Sequence, residues 1–107
     1  MRSTIRQFDA VKNPLRAARA DKPYLVCVQH PLLDHLNSRM MVPLATVRIV
    51  PVASRLQPAI RFGRDILFFD PTEILTLPIQ LLRPAIANLA AERDKIVAAL
   101  DLVFTGV

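Results

Sequence analysis

The period of the apolar residues changes once along this chain, and that change limits the fold more than anything else in it. Residues 24–29, 40–50, 59–62, 66–69 and 76–79 are short runs rich in Val, Ile, Leu and Phe, separated by turn residues. They are expected to be short, mostly antiparallel strands, with a further strand near residues 5–8. Gly63-Arg64-Asp65 and Asp70-Pro71-Thr72 fit connecting turns, and Pro43 inside the second run points to an edge position or a bulge. From Ile86 onward the spacing becomes helical. Pro84 suits a first helical turn, or Asn88 caps a shorter helix. Strands first and helix last predict an α+β domain: a long C-terminal helix on a curled antiparallel sheet, which can close as a small SH3-like barrel.

On a wheel of about 100° per residue, Ile86, Leu89, Ile96, Val97, Leu100, Val103 and Phe104 fall in one stripe about 120° wide, the expected core face. Ala91, Ala98 and Leu102 lie nearly opposite. Two small residues and one large one, at spacings of seven and four, match a helix–helix seam, so this strip is the expected homodimer contact. The alternative is that the alanines only favour the helix. Gly106 stands where helices commonly turn into a left-handed cap, leaving Thr105, Gly106 and Val107 as a short, fixed, partly apolar end.

With 107 residues, 52% of them hydrophobic, the chain has the makings of one packed domain spanning 1–107. Its mean hydropathy is +0.32, yet no apolar run reaches the roughly 18 residues of a spanning helix. Arg2 and Arg6 have no apolar stretch behind them, so neither a signal peptide nor membrane attachment is expected, and a cytoplasmic protein is. The single cysteine, Cys27, lies in a strand-like run where a thiol behaves as a small hydrophobe. Charge gathers at the amino end: residues 1–22 hold six Lys and Arg against two Asp, a net +4 of the formal +5. Such a basic stretch fits a nucleic-acid backbone, an acidic protein segment or plain solvent.

Few residues suggest catalysis. His30 and His35 with Asp34 make a pair of conceivable ligands, but zinc sites want three or four, so no metal or cofactor is expected. Asp70 with Glu73, and Asp94 with Asp101, have no counterpart for acid–base work. Phosphate-cradling glycines are missing, and Ser3, Ser38 and Ser54 sit in no nucleophile motif. A binding protein, not an enzyme, is the expectation.

Four segments in order carry a resemblance. Tyr24-Leu25-Val26-Cys27-Val28-Gln29-His30-Pro31-Leu32-Leu33-Asp34, then Arg39-Met40-Met41-Val42-Pro43-Leu44, then Leu77-Pro78-Ile79, then Phe104-Thr105-Gly106-Val107 resemble the CcdB family of bacterial toxins, from about Tyr24 to the last residue. The basic amino end matches poorly. The resemblance implies a dimeric, non-enzymatic poison of DNA gyrase, acting on the gyrase A subunit and neutralised by a cognate antitoxin. Contact with DNA is implied only indirectly, through the antitoxin complex.

Positions matching the family's gyrase-binding residues are Leu32, Leu33, Asp101, Phe104, Thr105, Gly106 and Val107. Two of them depart from the family pattern: Thr105 stands where better-studied members carry Trp, and Asp101 replaces a neutral amide. Lys12, Arg16, Arg19 and Arg39 are expected to form part of an antitoxin-docking face, because disordered acidic segments often fold on a partner's surface. Two other readings fit the same resemblance: a ribonuclease toxin of this fold that cuts messenger RNA, and a decayed, inactive homologue.

Overall fold

The computed structural model describes residues 4–107; Arg2 and Ser3 of the readings above lie outside them. Those residues form a seven-stranded antiparallel sheet that curls into a half-barrel, with one α-helix last. Its strands are β1 (Asp9–Lys12), β2 (Tyr24–Cys27), β3 (Ser38–Ala45), β4 (Ala59–Phe62), β5 (Asp65–Phe69), β6 (Leu75–Pro78) and β7 (Ala87–Asn88). The order across the sheet is β4-β5-β3-β2-β1-β7, with β6 pairing β3. The helix α1 spans Arg93–Thr105.

Two clusters, one on each face, explain why the strand runs are almost continuously apolar. In β2, Val26 belongs to the cluster under the helix, with Ala10, Val42, Leu44, Ile60, Phe69, Ile96 and Ala99. Its neighbours Leu25 and Cys27 point the other way, into a second cluster with Ile5, Val11 and Met41. Period-two alternation thus feeds two cores. Tyr24 and Phe62 stack at the rim, ring centroids 4.4 Å apart.

Three expectations change. The first strand is not at residues 5–8: Asp9 N donates to the Arg6 carbonyl at 3.0 Å, and Phe8 sits at φ +69°, so a tight turn ends there and β1 begins at Asp9. That left-handed backbone is uncommon for an aromatic residue, and Phe8 is buried in the core under the helix, which offsets it. Pro43 lies within a central strand, not at an edge. It faces Leu25, at the point where β3 exchanges β6 for β5, and its carbonyl accepts from Asp70 N at 3.0 Å. A proline's missing donor is tolerated where a ladder changes partner.

Thirdly, the helix starts later than Pro84. Ala87 and Asn88 pair with Ala10 and Asp9, and the Asn88 side chain accepts from Ala90 N at 2.9 Å, at the entry to a 3-10 turn, Ala90–Glu92, that leads into α1. Asn88 therefore caps no helix: the cap position of the lead-in turn is Leu89, and Asn88 steadies the chain just before it. The core stripe is correspondingly shorter than the wheel suggests. Ile96 and Ala99 are fully buried, and Val97 and Leu100 pack against the core. Ile86 precedes the helix, and Val103 and Phe104 run past the sheet into solvent.

Candidate functional site

Phe104 is 69% exposed and Val107 81% exposed, at the end of a helix anchored about one and a half to two turns earlier by Ala99 and Ile96. The end is also fixed chemically. Gly106 adopts φ +78°, and its N–H donates to the carbonyls of Asp101 at 3.2 Å and Leu102 at 3.1 Å, satisfying two acceptors that a bare helix end would leave open. The Thr105 hydroxyl donates to the Asp101 carbonyl at 2.7 Å. It is turned back on its own helix, and Phe104 is left as the aromatic surface of this end. Asp101 itself is exposed.

Leu32 and Leu33 lie in a 3-10 turn, Pro31–Leu33, within the connection between β2 and β3. Leu32 is 80% exposed. His30 Nδ1 accepts from Leu32 N at 3.1 Å, so the imidazole caps this turn. Among the described residues no cluster of three or more potential ligands exists. Two buried polar side chains hold the connection from inside. Gln29 Nε2 donates to the carbonyls of Leu33 at 3.0 Å and Ser38 at 3.2 Å, while its Oε1 accepts from Met40 N at 3.2 Å. The Arg39 guanidinium donates to the carbonyls of Asp34, Leu36, Ser38 and Ile5, at 2.8–3.1 Å.

This corrects the place given to Arg39. It is 2% exposed and spends its donors on backbone carbonyls, so it offers no charge to a docking partner. The other three cations differ among themselves. Lys12 and Arg16 are exposed, whereas Arg19 is half-buried and donates from Nε to the Asn13 carbonyl at 2.6 Å, tying down its own loop. Sequence reasoning overlooked Gln29, although the signal was present. Leu25 and Cys27 point inward on one face of β2, so the same alternation places Gln29 inward too, and Arg39 follows Met41 in the same way on β3.

The strip expected to form a dimer seam is divided between two elements. Ala98 and Leu102 share a face of α1, Ala98 exposed and Leu102 half-buried, but Ala91 lies in the preceding 3-10 turn. Ala98 borders an open, mostly apolar cleft of about 550 Å³, lined also by Ala53, Pro58, Ala59 and Lys95. Lys95 Nζ donates to the Ala59 carbonyl at 3.3 Å and fastens the helix start to β4.

Cys27 is buried, and desolvation pushes its thiol above its ordinary pKa, against the lowering by a backbone hydrogen bond at Gln29 and the Arg39 charge. It is built as packing and not as a nucleophile. No helix among the described residues is long and apolar enough to cross a membrane. A family model described as CcdB protein matches residues 7–106, including most of the basic amino end that the sequence comparison had left out. With that match covering nearly the whole fold and both exposed apolar elements, the chain belongs to the CcdB family, whose members are the toxins of toxin–antitoxin pairs.

Proposed function

We propose that this protein poisons DNA gyrase by binding, without chemistry of its own, as one half of a homodimer. The observation that carries the reading is the uncovered apolar surface at a fixed helix end: Phe104 and Val107 stand in solvent on a backbone locked by the Gly106 cap. Contiguous exposed apolar patches mark interaction surfaces. Leu32 and Leu33 supply a second exposed apolar element, and Asp101, Thr105 and Gly106 complete the proposed gyrase contact at the helix end.

A toxin of this kind needs only differential affinity. If the dimer binds an opened gyrase A conformation better than the closed one, that difference holds the enzyme on cut DNA. The Ala98 and Leu102 strip, with Ala91 beside it, is the proposed dimer contact. Lys12, Arg16 and the partly committed Arg19 are the proposed cations for an acidic antitoxin segment. Cells carrying normal or toxin-resistant gyrase provide the test. Expression should raise gyrase–DNA cleavage complexes in the first and leave the second unharmed. Loss of RNA with gyrase untouched would identify a ribonuclease instead, and no effect on either would identify a decayed homologue.

A further inference from the structure

Four carbonyls between Leu33 and Ser38 and the backbone amides of Leu32 and Met40, in and just after the connection that carries Leu32, are bonded to side chains of its own neighbourhood. Exposed loops usually leave such groups to water. Here Gln29 ties Leu33 to Ser38 and Met40, Arg39 ties Asp34, Leu36 and Ser38 to Ile5, and His30 caps Leu32. Gln29 and Arg39 are both about 2% exposed, and neither can touch a macromolecular partner. Yet Leu32, which lies between them along the chain, is 80% exposed. Buried polar groups of this kind are costly unless fully satisfied, and these two are used on one surface connection, Gln29 at Leu33 in the turn and Arg39 at Asp34 and Leu36 just after it.

We infer that Gln29 and Arg39 are positioning residues: Gln29 at the end of the Pro31–Leu33 turn and Arg39 on the stretch that follows hold the connection in its binding shape before any partner arrives, so that Leu32 docks without first ordering its loop. A loop already in the bound conformation avoids the loss of freedom that binding would otherwise impose. When the competent shape is populated only fractionally, the apparent affinity falls by that fraction. Arg39 adds a second consequence. Its bond from Nε to the Ile5 carbonyl joins the amino-terminal segment to the loop across 34 positions of sequence, so the loop's shape depends on a segment distant in the chain. The inference rests on the gyrase-binding role proposed for Leu32, and its test separates the two.

Gln29→Met keeps the length and removes the polar head, and Arg39→Lys keeps the charge but reduces four carbonyl contacts to one or two. Two readouts decide. Hydrogen exchange, which needs no partner, follows the amides of Leu33, Asp34 and Leu36, bonded to the carbonyls of His30, Pro31 and Leu33. In Gln29→Met these should exchange at least about tenfold faster while the amides of β2 and β5 keep their rates. Equal acceleration throughout the sheet would overturn the inference, since Gln29 would then be supporting the fold at large.

The second readout is binding to purified gyrase A subunit in a double-mutant cycle with Leu32→Ala. Gln29→Met alone should weaken binding about tenfold, mainly through slower association, and should add little once Leu32 is already Ala. Losses that simply multiply would overturn the inference. If neither wild type nor variants bind gyrase while the loop amides still respond locally, the gyrase reading fails and the positioning of the loop by these two side chains stands.

Discussion

Thr105 shows how much a single residue decides at the helix end. Its hydroxyl is bonded back to the Asp101 carbonyl, so the position contributes neither a ring nor a free polar group to a partner. Phe104 is then the exposed aromatic of that end, 69% exposed. Thr105→Trp should tighten gyrase binding by about 1 kcal/mol, roughly a fivefold lower Kd, by adding flat area on which a guanidinium can stack. Titration of both proteins against the gyrase A subunit checks it; unchanged affinity would mean the partner does not reach this face. Cys27 gives a prediction of the opposite sort, confined to stability. Its thiol is held neutral by burial, with the folded pKa raised. That contribution is complete below the ordinary range of a free thiol and is lost as pH rises through it, because the unfolded chain then ionises more readily than the folded one. Cys27→Ala, which cannot titrate, should be less stable than wild type at about pH 7, and the gap should narrow by about pH 10. Urea midpoints at several pH values measure it, and a widening gap would contradict the assignment.

At the scale of elements, α1 has an anchored half and a projecting half, and they should fail separately. Ile96 is fully buried between the helix and the sheet. Ile96→Ala should cost about 2–5 kcal/mol of unfolding free energy. At the other end, a side chain at Gly106 would meet nothing within 4 Å, so Gly106→Ala feels only its φ of +78°. A penalty of about 1 kcal/mol is expected there, with the last turn loosened. Removing Gly106 and Val107 should abolish poisoning while thermal unfolding shifts by only a few degrees. A collapse of stability would show the end to be part of the core. Much of this architecture was legible in the sequence, since the change of period announced a sheet followed by a helix and Gly106 announced its cap. What period alone could not supply was where the sheet stops. Phe104 keeps helical register with Ile96, but it stands in solvent. Ala87 and Asn88, inside the helical pattern, are drawn into pairing with β1. Arg39 reads as a surface cation because charge is usually solvated; only its partners in space, four carbonyls from two parts of the chain, show otherwise.

For the whole molecule the deciding quantity is area. A single helix end presenting Val103, Phe104 and Val107, even with Leu32 and Leu33, is small beside the roughly 1,200–2,000 Å² of total buried surface typical of stable specific complexes. Two such ends related by a twofold axis present the same contact twice, and a twofold partner can engage both without any new chemistry. The exposed Ala98 strip is suited to bring them together: it lies on α1 less than two turns before Phe104, faces an open apolar cleft, and has no bulk to hold a second helix away. Ala98→Glu places a charge in that seam without disturbing the protomer, because Ala98 is exposed in it. Sedimentation should show a monomer, its unfolding midpoint should no longer depend on protein concentration, and poisoning should disappear although Phe104, Gly106 and Val107 are intact. A variant that stays dimeric would place the seam on another face. A variant that becomes monomeric yet still traps gyrase on cleaved DNA would mean that one helix end suffices, and the twofold argument would fall with it.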